Sequence, residues 1–305
     1  IHKPNMLGVK TFSGYPLEEI RDYIDWTFFF VAWELKGTFP KILTDEKQGA
    51  EARKLFAEAN NLLDEITERK LFKANGVVGL WPANSRGDDI ELYEDESRTR
   101  VIGTFHHLRQ QVKAKPGKPN LCLSDYVAPI ESGIADYVGG FAVTAGIGME
   151  KWVAEAKEAG NDYRAIMLQI LSDRLAEAFA EVIHTRVRKE LWGYDPDENL
   201  SREEILKVQY RGIRPALGYP ACPEHSEKRE LFRLLDASER TGITLTENFA
   251  MYPTASVSGQ YFAHPEAFYF GVDKMGRDQI EDYALRKNMP VEEVERFLNA
   301  DLNYR

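Results

Sequence analysis

Only two cysteines, Cys122 and Cys222, occur in this chain of 305 residues, far apart and without CxxC spacing. Neither has histidines arranged around it as a zinc site needs, so both a disulfide framework and a structural zinc centre are excluded, and a reducing, cytoplasmic setting is expected. A membrane-spanning run of roughly eighteen apolar residues is also missing. The most apolar patch, Trp26 to Trp33, is broken by Thr27 and followed at once by Glu34. Positive charge is in deficit: 39 Lys and Arg stand against 49 Asp and Glu, a net charge of -10. Such a field repels nucleic acid and anionic lipid, because both present phosphates. There is no Gly-rich strand-to-helix turn of the dinucleotide-binding type, no internal repeat and no low-complexity tract. The chain opens at Ile1 with no initiator Met and no signal-peptide succession, so it is expected to be a piece of a longer chain.

What is present is an ample core-forming composition, 43% hydrophobic and 29% charged. Pro16 suits a first helical position, and Leu17, Ile20 and Ile24 predict a short helix over 16–25 with Asp25 at its end. From 45 to 66, apolar residues at Ala52, Leu55, Phe56, Ala59, Leu62, Leu63 and Ile66 follow the 3.6-residue period of an amphipathic helix. Three strand-like runs follow, 76–83, 89–94 and 100–106, with connections too short for crossover helices, so at least part of the sheet is antiparallel. Another strand is predicted at 140–145, then a central helix over 163–191. Ser201 and Glu204 form a capping box for a further helix. Strand-like runs recur at 243–249, 256–262 and 267–272. Two closing helices begin at Asp278, with Glu281 as its partner, and at Pro290, with Glu292 and Glu293 in the first turn. The irregular mixture predicts a single α+β domain.

The segment Arg211-Gly212-Ile213-Arg214-Pro215-Ala216-Leu217-Gly218-Tyr219-Pro220-Ala221-Cys222-Pro223-Glu224-His225 is the most unusual. A loop stiffened by proline holds backbone donors and acceptors in fixed directions at low entropic cost, which suits a polar small molecule. Arg214 offers a planar fork for a carboxylate and Tyr219 a π face with a hydroxyl. A rigid structural turn with a paired arginine is the competing reading. Cys222 and His225 lack a second ligand pair, and His106 and His107 end a strand with rings on opposite faces, so both pairs read as structural. Glu177 and Glu181 lie one turn apart on the central helix with Arg174 before them, either facing a cavity or forming an exposed charge lattice. Rings at Tyr261, Phe262, Phe268, Tyr269 and Phe270 read mostly as core, with stacking on an adenine or facing a cation as the alternative.

Several separated stretches, taken in order, resemble one family. They are Tyr23-Ile24-Asp25-Trp26, Gly76-Val77-Val78-Gly79, Asp88-Asp89-Ile90, His107-Leu108-Arg109-Gln110-Gln111, Asp173 to Glu181, the 211–225 loop, and Asp278 to Tyr283. Together they are similar to the C-terminal, S-adenosylmethionine-binding activation domain of vitamin B12-dependent methionine synthase, along essentially the whole chain. The resemblance implies a C-shaped α+β domain on a twisted antiparallel sheet with surrounding helices. It also implies a shallow ligand site whose matching positions here are Asp25, Glu177, Arg214, Ala216, Gly218, Tyr219 and Tyr269, with Phe270 adjacent. Leu217 stands where the family leads one to expect proline, which should loosen the loop slightly.

The ligand implied carries a carboxylate, an ammonium and a sulfonium, which call for one cation and for acidic or π groups. The resemblance further implies that S-adenosylmethionine remethylates cobalamin oxidised to cob(II)alamin. That cofactor is held by a neighbouring domain, not by this chain, and no residue here need act as an acid or base. Flavodoxin or an equivalent flavoprotein is the implied electron donor. Since such proteins are usually acidic, a local basic patch is expected, formed by Lys113, Lys115 and Lys118 or by Arg186, Arg188 and Lys189. Two other readings compete: a free-standing S-adenosylmethionine-dependent methyltransferase, and a scaffold of the same fold without ligand.

Overall fold

The computed structural model describes residues 1–112, 117 and 119–304. Its centre is a six-stranded, wholly antiparallel sheet built around two long strands, β2 (Lys73–Arg86) and β5 (Asp136–Ile147). One edge of β2 is shared by β1 (Gly8–Tyr15), which pairs along 74–80, and β3 (Asp89–Tyr93), which pairs along 83–86. Outside β3 lies β4 (Val101–His106), and on the far side of β5 lies β8 (Ser256–Tyr261).

Alternation sorts the side chains onto two faces. Val78 and Leu80 of β2 and Phe141, Val143 and Ala145 of β5 face one core, shared with the long helix α5 (Asp162–Arg186). Val77, Trp81 and Ala83 with Val138 and Ala142 face the other, against α7 (Glu227–Leu235) and the neighbourhood of α8 (Ala237–Thr241). The first core is extended by α1 (Leu17–Arg21), α2 (Trp26–Ala32), α3 (Gly49–Glu68) and α4 (Met149–Glu158). A short helix, α6 (Arg202–Leu206), follows α5, and a two-stranded ribbon is made by β6 (Thr244–Leu245) and β7 (Met251–Tyr252). The helices α9 (Arg277–Lys287) and α10 (Val291–Phe297) enclose a third, smaller core with Leu108, Val272 and Met275. Among the described residues no helix is long and apolar enough to cross a membrane.

The α+β class and the antiparallel sheet are therefore as the sequence predicts, while several elements differ. The helix expected over 16–25 stops at Arg21, and Asp25 starts a new one: its carboxylate accepts from the Thr27 N–H at 2.9 Å as the N-cap of α2. The central helix ends its regular course at Arg186 and finishes in a π-helical turn, Val187–Leu191. The Ser201 capping box forms as expected, with Glu204 reaching back to the Ser201 N–H at 2.8 Å. Asp278, by contrast, is not an N-cap: Gly276 holds that position without a side-chain bond, and Asp278 instead accepts from Gln111 Nε2. The run 267–272 forms no strand, because β8 offers its free edge elsewhere, and 243–249 contributes only the two residues of β6.

Candidate functional site

The free edge of β8 is taken by the 211–217 part of the proline-rich loop. Ile213 and Phe262 exchange both backbone hydrogen bonds at 3.0 Å, the Gln260 N–H donates to Pro215 O at 3.0 Å, and the Leu217 N–H donates to Ser258 O at 3.4 Å. The last bond could not form from a proline. With its side chain buried as well, Leu217 ties the loop down rather than loosening it, which corrects the expectation from sequence. Close approach here depends on Gly259, where an added Cβ would stand 2.4 Å from Pro215 O. Beyond Leu217 the chain turns tightly: the Gly218 N–H donates to Cys222 O and the Cys222 N–H to Tyr219 O, both at 2.8 Å. Gly218 has φ +97, the left-handed region that glycine adopts freely, and the His225 ring fills the space a Cβ would need.

The segment 268–272 meets this loop at two places: the Arg214 N–H donates to the Tyr269 hydroxyl at 3.0 Å, and the Val272 N–H donates to Pro220 O at 2.8 Å. Tyr219 and Tyr269 keep large parts of their rings exposed, 60% and 43%, on the surface around the loop. Phe270 is partly buried and packs against Tyr126 and Phe268. From α5, Glu181 accepts from Arg214 Nη2 at 3.1 Å. Burial opposes the charge of Arg214, but Glu181 above all, with Tyr210, Tyr269 and Glu177, outweighs it and raises the guanidinium's pKa above its ordinary value. The Arg214 Nε is buried without a partner among the described residues.

The residues singled out in the sequence are thus brought together in part. Arg214, Ala216, Gly218 and Tyr219 share one braced loop, and Tyr269 is bonded to it. Glu177 lies one turn from Glu181, near enough for its charge to act on Arg214. Asp25 sits at the head of α2, which packs on α5 with Arg174 lying 5.9 Å over the Phe28 ring. No direct bond joins Asp25 to Arg214 among the described residues.

Sequence reasoning named Glu181 but did not see it as the partner of Arg214; it placed Arg188 in a surface patch, and it missed Glu198 and Tyr210. The π-helical turn displaces Arg188 from the helical period, so its inward direction could not be read from spacing. This also removes one expected basic patch. Arg188 is fully buried and bonded to Glu198, Lys189 Nζ donates to Glu198 O at 2.8 Å, and Arg186 is paired with Glu190. The other expected patch, Lys113, Lys115 and Lys118, lies outside the described residues. Cys222 and His107 are buried in mutual contact, Sγ to Nδ1 3.9 Å, and burial pushes the thiol up and the imidazole down to about 3. Both belong to the core.

Residues 16–288 match the family model described as vitamin B12 dependent methionine synthase, activation domain. A solved structure, the MetH reactivation domain bound to AdoHcy, is 53% identical and superimposes with a TM-score of 0.97, covering 99% of this chain and 93% of that one. The family match takes in α1 through α9 and with them every strand of the sheet except β1, the loop and both acidic positions on α5, so the chain belongs to the activation-domain family of vitamin B12-dependent methionine synthase.

Proposed function

We propose that this chain binds S-adenosylmethionine against the 211–219 loop. From there the ligand's methyl group is available to restore oxidised cobalamin on the neighbouring cobalamin domain of methionine synthase. The observation that carries this reading is Arg214: a cation whose backbone is fixed by Tyr269, whose Nη2 is held by Glu181, and whose Nε lacks a partner among the described residues. A buried guanidinium donor without an acceptor suits an incoming carboxylate.

The remaining assignments follow from charge. Asp25 and Glu177 favour the ammonium and sulfonium, the backbone of Ala216 to Tyr219 meets the adenosine, and the open rings of Tyr219 and Tyr269 provide π faces, with Phe270 adjacent in the chain and packed on Phe268. The AdoHcy held by the MetH domain is the demethylated form of the proposed ligand, and the 53% identity supports a common site. The sulfonium supplies an activated methyl and leaves as a neutral thioether, so the chain's residues bind and orient, and none is assigned a catalytic role. Methyl transfer between folate and homocysteine belongs, in this proposal, to the remainder of a methionine synthase. Flavodoxin or an equivalent flavoprotein is the proposed electron donor.

The test is reductive methylation. The chain is combined with a cobalamin-loaded domain of methionine synthase, a reductant and S-adenosylmethionine, and methylcobalamin formation is followed by its absorption spectrum. Methylcobalamin that appears only with all components supports the proposal. Formation at an equal rate without the chain overturns it.

A further inference from the structure

Beneath the loop, four charged side chains alternate in sign: Glu198, Arg188, Glu181 and Arg214. Arg188 is fully buried and immobilised. Its Nε and Nη2 donate to the two Glu198 oxygens at 2.5 and 2.9 Å, Nη2 also donates to Thr185 Oγ1 at 3.1 Å, and the guanidinium lies 4.1 Å over the Tyr210 ring. Its remaining nitrogen, Nη1, faces Glu181 Oε1 at 3.6 Å, a charge contact rather than a hydrogen bond. The other oxygen of Glu181 accepts from Arg214. One carboxylate, its side chain only 8% exposed, is therefore divided between an anchored arginine and the arginine at the surface of the site, whose side chain is 17% exposed.

This division has two consequences. A long arginine side chain loses rotamer freedom when it binds a ligand, an entropic cost that an existing contact removes beforehand. And since Glu181 also answers the charge of Arg188, it leaves part of Arg214's positive potential unmatched for a second carboxylate. We infer that Glu181 is a positioning residue for the ligand's carboxylate, acting through Arg214, with Arg188 and Glu198 as its anchor. The inference rests on the S-adenosylmethionine reading and adds to it a specificity element for the amino-acid end of the ligand.

A glutamine at 181 can accept through one oxygen only, and its amide N–H groups are turned toward the other guanidinium. Arg188 is held by Glu198, so Arg214 is the partner released. The experiment is calorimetric titration of the chain and its Glu181→Gln variant with S-adenosylmethionine and with decarboxylated S-adenosylmethionine, with thermal unfolding of both proteins recorded alongside. The variant is expected to bind the carboxylated ligand about ten-fold more weakly, the equivalent of about 1.4 kcal/mol, and the decarboxylated ligand unchanged. Equal losses for the two ligands would show a merely structural role and overturn the inference while leaving the site assignment intact. Tighter binding of S-adenosylmethionine by the variant also overturns it, since Glu181 would then compete for Arg214 instead of holding it. If the unsubstituted chain binds neither ligand, the underlying reading fails, and this inference with it. Should Glu181→Gln not fold, Glu181→Asp keeps the charge but withdraws it from Arg214, and the same selective loss is expected.

Discussion

The Tyr269 hydroxyl accepts a hydrogen bond from the backbone N–H of Arg214 at 3.0 Å, joining two segments that lie 55 positions apart in the chain. Because Tyr269 is itself 43% exposed, this bond contributes little to the core and much to the placement of the loop. Tyr269→Phe keeps the ring and removes the acceptor. It is expected to lower stability by no more than about 1 kcal/mol, while weakening S-adenosylmethionine binding several-fold; denaturant unfolding and calorimetric titration of the same variant separate the two.

Gly259 is the second determinant of loop placement. An alanine there would put its Cβ 2.4 Å from Pro215 O, a backbone atom that cannot swing aside, so the loop must lift from β8. Gly259→Ala should therefore depress ligand affinity more than Tyr269→Phe does, with backbone amides at Ile213 and Leu217 losing protection in hydrogen exchange while those of β2 and β5 keep theirs.

Lys287 is buried between Glu224 and Glu227, bonded to both, with the Glu227 contact at 2.7 Å. Burial disfavours the Glu224 carboxylate, but Lys287 and Ser226 outweigh it and hold the pKa below the ordinary 4.5. The stability this gives is fully present above the unfolded-state value and disappears as the pH falls through the lower folded value. Lys287→Met leaves two uncompensated buried carboxylates and should cost about 3–5 kcal/mol at neutral pH. In the variant, burial of the Glu224 carboxylate is no longer opposed by Lys287 and favours its protonated form, so the deficit should shrink on acidification, as unfolding curves at pH 7 and pH 5 will test.

His107 gives a complementary pH dependence with a different window. It is buried and neutral, and desolvation chiefly lowers its pKa from 6.5 to about 3. Below 6.5 the unfolded chain takes up a proton that the folded chain refuses, so stability falls from about pH 6.5 toward pH 3. His184, lowered well below its ordinary value by burial and by Arg188 and Arg214, acts in the same direction. His107 alone should remove about 2 kcal/mol between pH 7 and pH 5. Replacing His107 by Gln is expected to flatten the dependence by that amount.

The sequence carried α5, the sheet class and the loop plainly, because long periodic stretches and proline-rich punctuation are local signals. It hid α7 for a physical reason: Glu227 and Lys228 are buried there, at 2% and 3% exposure, so charges that read as solvent-facing lie inside. It hid β1 because neither face of that edge strand is consistently buried, and two-residue alternation never develops. Helix α2 is short and apolar on most sides, with Phe28 and Val31 exposed, so no helical stripe marks it. The run 267–272 shows the converse. Its aromatics favour a strand, but a strand needs an edge, and the free edge of β8 is occupied by the loop. At the site, Arg214 was legible as a fork for a carboxylate, whereas its dependence on Glu181 was not, because that contact joins residues 33 positions apart through a side chain whose direction only the fold sets.

The central claim is that Arg214 receives the carboxylate of S-adenosylmethionine. Isothermal titration of the chain with S-adenosylmethionine and S-adenosylhomocysteine, beside the same titrations of Arg214→Ala, tests it most directly. Saturable binding of both ligands is predicted, weakened in the variant by about 2 kcal/mol or more, as the loss of a charge-assisted contact requires. Absence of saturation by the unsubstituted chain at millimolar ligand, or affinity unchanged by the substitution, would contradict it.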